Sequence, residues 1–211
     1  MSRITIIGAG PAGLVLGCLL QGTGRWDVTI IEKHTRAYVQ TRPRAGLLEH
    51  RTVQLLEEAG LQGRLPVQGA VHDSCEFRID GTPVVVKFGA LTGVTQWVWP
   101  QQELVTDLIV EFAARGGQLR FDVDGVEVDL RGDEPGVTFT ADGRREHRSS
   151  DWVAGADGGA GVSAAAVPPQ TRRIFTHDQQ LAWVSILAAV PPSAPHIVYA
   201  PHRRGFAGHM L

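Results

Sequence analysis

The 211-residue sequence predicts an α/β protein: a Rossmann-like nucleotide-binding domain (a βαβ unit with a mixed sheet), then the start of a β-sheet domain. Three observations predict it. Residues 4–13 read Ile-Thr-Ile-Ile-Gly-Ala-Gly-Pro-Ala-Gly, a β-prone run that empties into a glycine-rich turn, and an apolar helix-like run follows at once. Residues 28–31, Val-Thr-Ile-Ile, form a second buried-strand pattern that ends at Glu32. Later segments pair short β-prone runs around Asp-Gly turns, the pattern of antiparallel hairpins.

The first stretch carries chemistry. Gly8 permits a sharp turn, Gly10 lets backbone approach a pyrophosphate, and Gly13 lets the helix pack on its strand. The free N–H groups at the helix start, with Pro11 and Ala12 in its first turn, would face the phosphates. Glu32 lies about 20 residues beyond the last glycine, where a carboxylate accepts hydrogen bonds from an adenosine ribose. A polar, cation-dense loop follows, with Lys33, His34, Arg36, Tyr38, Arg42 and Arg44, and it leads through Ala45 and Gly46 to Leu47. Basic residues at a helix entrance suit phosphate contacts. The apolar positions Val53, Leu55, Leu56 and Ala59 suit a helix face that stops at Gly60.

Further along, residues 75–79 and 83–88 flank Asp80-Gly81 as a hairpin, and residues 96–99 read as another strand. Residues 70–99 are thus a β excursion from the αβ alternation. Residues 100–103 open a helix with Leu104, Val105, Leu108, Ile109, Phe112 and Ala113 on one face, closed by Gly116-Gly117. Strands are expected at 119–121, 126–130 and 137–140, with turns at Asp124-Gly125, Gly132-Asp133 and Asp142-Gly143. A short apolar strand then runs into Gly155-Ala156-Asp157-Gly158, followed by a helix-like run at 162–167. Pro168-Pro169 marks a boundary, so residues 1–170 are expected as the nucleotide-binding domain and 171–211 as the beginning of a second, β-rich domain. Residues 181–190 and 197–200 are its strand candidates, and residues 210–211 enter a further one.

Composition bounds the function classes. Formal net charge is −2, which gives no electrostatic case for nucleic acid. The Arg144-Arg145 and Arg203-Arg204 pairs read as solvated faces or local anion contacts. No uninterrupted apolar span is long enough for a membrane helix. The eight histidines and two cysteines show no metal-ligand spacing. Cys18 and Cys75 read as buried free thiols, which fits a reducing cytoplasm.

Taken together, the sequence resembles the class A flavoprotein monooxygenases, and most closely their para-hydroxybenzoate hydroxylase branch. The carriers of the resemblance are Gly8-Ala-Gly-Pro-Ala-Gly13, Glu32, Arg42-Pro-Arg-Ala-Gly46, Gly69-Ala-Val-His72, Gln101, Ala154-Gly-Ala-Asp-Gly158 and Tyr199-Ala200 with Arg204-Gly-Phe-Ala207. They occur in family order, and they cover about the N-terminal half of such an enzyme. The resemblance implies FAD in the first site, with Ala12 on the pyrophosphate and Glu32 on the ribose. It places Arg42, Arg44, Ala45, Gly46, Leu47 and Gln101 along the cofactor, and gives Asp157 and Gly158 to FAD and the nicotinamide donor. Lys33, His34 and Tyr38 fall in the segment that helps to choose NADPH or NADH. Tyr199 matches a tyrosine that hydrogen-bonds the substrate phenol, and His72 the far end of a proton relay to solvent.

The activity so implied is hydroxylation of an aromatic, phenolic substrate with NAD(P)H and O₂. Met210 stands where that branch carries a serine for the substrate carboxylate, and a thioether cannot donate that bond. Ala164 and Ala160 stand where the pattern has an arginine and a histidine, so donor binding is expected to be weaker or arranged differently. Two partner arrangements stay open: a homodimer, or a C-terminal half supplied by a second chain. A nucleotide-binding subunit without its own catalysis is the alternative reading. A plain NAD(P) dehydrogenase is disfavoured by the Arg42 and Asp157 segments.

Overall fold

A computed structural model describes residues 1–129, 131, 135–186 and 188–210. The first βαβ unit is β1 (Ser2–Ile7), α1 (Pro11–Gly22) and β2 (Trp26–Ile31). Short α2 (Arg36–Thr41), β3 (Leu47–Leu48), α3 (His50–Glu58) and α4 (Leu65–Gln68) follow. Next come β4 (Ala70–His72), β5 (Cys75–Ile79), β6 (Thr82–Val86), α5 (Phe88–Thr92) and β7 (Gln96–Val98). The long helix α6 (Gln101–Ala114) leads to β8 (Gln118–Arg120), β9 (Asp124–Asp129), β10 (Gly136–Ala141), β11 (Arg144–Ser149) and β12 (Trp152–Gly155). After α7 (Val162–Ala166) the chain ends in β13 (Ile197–His202) and β14 (Gly205–His209).

Compactness divides the chain into two units that interleave in sequence. One comprises Met1–Arg42 and Val105–Val184, the other Pro43–Leu104 and Ser185–Leu211.

In the first unit, a parallel sheet runs in the order β12-β1-β2-β8. A central parallel strand is covered on both faces, so it reads as a continuous apolar run. β1 obeys this: Ile4, Ile6 and Ile7 are buried, and its one buried polar side chain, Thr5, meets Ser150 Oγ at 2.7 Å. Strands β9, β10 and β11 form an antiparallel meander. Ile7, Ile31, Val123, Val137, Phe139 and Ala141 pack into one core cluster, which joins the ends of β1 and β2 to the meander. Phe112 of α6 is fully buried, and Gly17 of α1 lies against it: a Cβ at Gly17 would fall 2.9 Å from the Phe112 ring.

In the second unit, one sheet has the order β14-β13-β5-β6 and another β3-β7-β4. The first combines two hairpins, β5–β6 and β13–β14, through a parallel β5–β13 pairing. The residue 70–99 excursion and the C-terminal segment therefore share a sheet. The β5–β6 turn uses Asp80 (φ 49°) and Gly81 (φ 82°), the left-handed pair that a two-residue hairpin requires.

Three expectations change. Residues 181–186 and 188–190 form no strand, and Leu181, Trp183, Val184, Ile186 and Val190 are exposed. β propensity expresses itself on a paired, half-buried surface, and the described residues of this run lie exposed outside any strand. Asp124-Gly125 lies inside β9, at an irregularity opposite Thr138 and Thr140, rather than in a turn. Arg144 and Arg145 are exposed, as expected of a solvated face, and Arg145 pairs with Glu127 at 2.8 Å; they lie on β11, a strand too polar to stand out by pattern. Cys75 is only half-buried, whereas Cys18 is buried. The expected turn at Gly132-Asp133, Leu130 of the 126–130 strand and Leu211 lie outside the described residues.

Candidate functional site: a dinucleotide cradle

The three glycines have three different surroundings. Gly8 has φ 107°, and a Cβ there would sit 2.5 Å from the Ala156 carbonyl oxygen, so only glycine fits where β1 turns beside β12. A Cβ at Gly13 would lie 2.0 Å from the Gly8 carbonyl oxygen, which is the close packing of α1 on the turn. Gly10 is different, because a Cβ there would meet nothing within 4 Å. Its missing side chain leaves open space at the helix entrance.

α1 starts at Pro11, whose absent N–H is no loss at a first helical position. The first intrahelical bond is Leu14 N–H to the Gly10 carbonyl at 3.0 Å, which leaves the Ala12 and Gly13 N–H groups ahead of the helix ladder. These donors and the positive end of the helix dipole suit an anion.

Glu32 follows β2 and is half-buried. Its Oε2 accepts the Ala9 N–H at 2.9 Å and its Oε1 the His34 N–H at 2.9 Å. A carboxylate has about four acceptor positions, so two backbone bonds fix it and leave capacity for a sugar diol. The cradle thus offers open space at Gly10, helix-start donors and an anchored carboxylate, which together fit the adenosine-diphosphate part of FAD.

The adjoining segment brings two rings and a cation together. Thr35 caps α2 by accepting the Tyr38 N–H at 3.2 Å. The His34 and Tyr38 rings lie 4.2 Å apart, and the Arg42 guanidinium sits 5.4 Å over the Tyr38 ring. Lys33 is exposed beside this tilted ring pair. Asp157 is committed to its own turn: Oδ2 accepts the Ser163 N–H at 3.0 Å, and the Ser163 hydroxyl bonds Oδ1. Gly158, at φ 82°, has open space at its Cβ position.

The remaining expected residues lie in the second unit. Gly46 accepts the Trp99 N–H at 2.7 Å, and a Cβ there would lie 2.0 Å from the Trp99 carbonyl oxygen. Leu47 pairs with Val98, so Gly46 and Leu47 run beside the entrance to α6, where Gln101 stands. Arg44 and Ala45 are exposed on the preceding loop.

His72 is 4% exposed on β4, paired with Gln96, and its Nε2 has no hydrogen-bond partner among the described residues. Burial pushes its imidazole pKa down; Asp73 opposes that shift and His196 adds to it. Tyr199 on β13 packs between Phe77 (5.5 Å) and Phe206 (5.9 Å), and burial, with Cys75 nearby, raises its phenol pKa.

Sequence reasoning passed over Ala9 and Ala156, which act through backbone atoms and carry no side-chain signal. It also passed over Glu76 and His196. Glu76 is 7% exposed, and its Oε2 accepts from His196 Nε2 at 2.8 Å while Arg78 Nε bonds its other oxygen. A charged residue amid an alternating strand was the available signal.

Among the described residues, no helix is long and apolar enough to cross a membrane, and no group of three potential ligands could hold a metal ion.

This cradle defines a dinucleotide-binding α/β protein. The flavin identity comes from comparison: the model of the FAD binding domain family matches residues 1–211, and the chain belongs to that family. It is 36% identical over 207 residues to the p-hydroxybenzoate hydroxylase of Acinetobacter baylyi, an alignment covering 98% of this chain and 51% of the relative. It spans about half the length of that curated relative. Among solved structures, it resembles a probable FAD-dependent monooxygenase, PqsL, from Pseudomonas aeruginosa, with a TM-score of 0.69 at 17% identity over 94% of this chain and 53% of that one. The p-nitrophenol 4-monooxygenase PnpA of Pseudomonas putida gives a TM-score of 0.65 at 19% identity over 75% of this chain and 42% of that one. At such identities the structural likeness speaks for the fold.

Proposed function

We propose that the chain forms the N-terminal part of an FAD-dependent aromatic monooxygenase, which hydroxylates a phenolic ring with NADPH or NADH and O₂. The observation that carries this reading is the likeness to a p-hydroxybenzoate hydroxylase along 98% of the chain. When bound, FAD supplies the hydride acceptance and oxygen chemistry, and the protein supplies binding, orientation and exclusion of water.

In this reading Gly10, Pro11, Ala12 and Gly13 bind the pyrophosphate and Glu32 binds the adenosine ribose, with Gly8 shaping the turn. Arg42, Arg44, Ala45, Gly46, Leu47 and Gln101 serve the rest of the cofactor. Asp157 shapes its turn so that Gly158 presents backbone to cofactor and donor. Lys33, beside the tilted His34–Tyr38 ring pair, favours a donor with a 2′-phosphate. Tyr199 hydrogen-bonds the substrate phenol, and its aromatic neighbours support that ring. His72 holds and passes the phenol proton; its unpartnered Nε2 supports the assignment. Met210 turns selection away from a carboxylate contact at its position. Residues 1–170 would then be the FAD-binding domain and 171–211 the start of the substrate domain. The two free cysteines suit a cytoplasmic setting.

Titration of the chain with FAD tests the cofactor step. A perturbed visible flavin band and quenched fluorescence are expected. No binding by a folded chain would favour a subunit that needs a C-terminal partner for its cofactor. Phenol-dependent NAD(P)H oxidation, measured with the C-terminal half supplied, tests the activity; its absence across a panel of phenols would overturn it.

A further inference from the structure

The β14-β13-β5-β6 sheet is two hairpins held together along one seam. That seam is the parallel pairing of Cys75, Glu76 and Phe77 with Ile197, Val198 and Tyr199. Its partners lie about 120 residues apart in sequence, so no short turn sets their register, and side chains must do so. A one-residue slip would turn Tyr199 to the opposite face, and a two-residue slip would carry it about 6.6 Å along the sheet.

Glu76 and His196 cross this seam. Alternation puts Glu76 and Phe77 on opposite faces of β5, so the Glu76–His196 bond lies on the face away from Tyr199. Its geometry is that of a built contact: Glu76 is 7% exposed, His196 Nε2 donates to it at 2.8 Å, and Arg78 Nε occupies the other carboxylate oxygen. Both oxygens of a buried carboxylate are thereby engaged, and a slipped register would strand that charge without its imidazole.

We propose that Glu76 and His196 are positioning residues, a polar pin that fixes the β5–β13 register and so holds Tyr199 against Phe77. The inference rests on the reading of Tyr199 as the substrate-phenol contact, which it deepens by naming what aims that side chain.

The chain has two tyrosines, so tyrosine-selective NMR labelling gives two ring systems, and Tyr38→Phe assigns Tyr199. In the full chain a Tyr199–Phe77 ring contact is expected, matching their 5.5 Å separation. Glu76→Ala and His196→Ala should each lose it while the amide spectrum of the parallel sheet persists. The exchanged pair, Glu76→His with His196→Glu, should restore it. Should the alanine variants not fold, His196→Gln measured against the exchanged pair decides the same question. Retention of the ring contact in folded variants without the pin would overturn the proposal. So would failure of the exchanged pair to restore it. The holoenzyme separates the two readings. Pin variants should raise the KM for phenol several-fold with flavin reduction unchanged. If Tyr199→Phe leaves hydroxylation intact while pin variants still lose the ring contact, the substrate reading falls and the pin stands.

Discussion

The carboxylate of Glu32 is anchored by the backbone of Ala9, across the very turn that its position at the end of β2 serves: Oε2 accepts the Ala9 N–H at 2.9 Å. Strand end, turn and acid are thus one unit. Glu32→Gln keeps an acceptor for Ala9 but loses the charge. A hydrogen bond to a charged group contributes about 1.5–3 kcal/mol, so FAD affinity should fall by roughly ten- to a hundredfold with the fold retained. Fluorescence titration beside circular dichroism measures both, and unaltered affinity would remove Glu32 from the ribose.

Gly10 and Gly13 should separate binding from stability. Gly10→Val places its side chain in open space, so unfolding by urea should shift by under about 0.5 kcal/mol, as for a surface change, while FAD binding is lost. Gly13→Ala drives a methyl to 2.0 Å from the Gly8 carbonyl oxygen and should cost about 1–3 kcal/mol or more, as overpacking does. Equal loss of stability in both variants would contradict this division.

His72 sets a pH dependence of the fold. Burial disfavours its imidazolium, so its folded pKa lies below that of the unfolded chain. Between the two values the unfolded chain binds more protons, and stability must fall as the pH falls. The contribution is whole above about pH 6.5 and is lost as the pH drops through that value and through the lower folded one. His72→Gln should flatten the decline in urea midpoint between pH 7.5 and 5. A slope identical to that of the unaltered chain would exclude His72 as its source.

Glu76 acts in a lower window. The Arg78 bond first, and the His196 bond second, hold its carboxyl below the ordinary range. Its stabilisation is therefore whole at neutral pH and is lost as the pH falls below about 4 and through the folded value. Glu76→Gln should remove that acid-side loss in urea midpoints, leaving the His72 window in place.

The two thiols should differ in reactivity. Burial pushes Cys18 up to about 11, so little thiolate exists near neutrality. Iodoacetamide at pH 8 should label the half-buried Cys75 before Cys18 in the folded chain, and both in urea. Mass spectrometry reads the order; prior labelling of Cys18 would mean that α1 opens.

Much of the cradle was legible because its determinants are local. Gly8, Gly10, Gly13 and Glu32 fall within one βαβ unit, where strand, turn and helix have fixed lengths, and spacing along the chain becomes position in space. The Asp80-Gly81 hairpin was legible for the same reason, since two adjacent residues supply the left-handed turn. Residues 181–190 misled because apolar content states a preference for burial without naming a partner. β11 was hidden because its Arg145 side chain is satisfied by Glu127 across the meander rather than by the core.

By itself, the sequence determined the glycine turn, the acid after β2 and the αβ order around them, because steric and hydrogen-bonding demands there act over a few residues. Only the tertiary structure decided that Ala156 closes on Gly8, that His72 is buried, and that His196 reaches Glu76 from 120 residues away. Those contacts join strands that no short connection links, and their register depends on which side chains find each other once the sheet has formed.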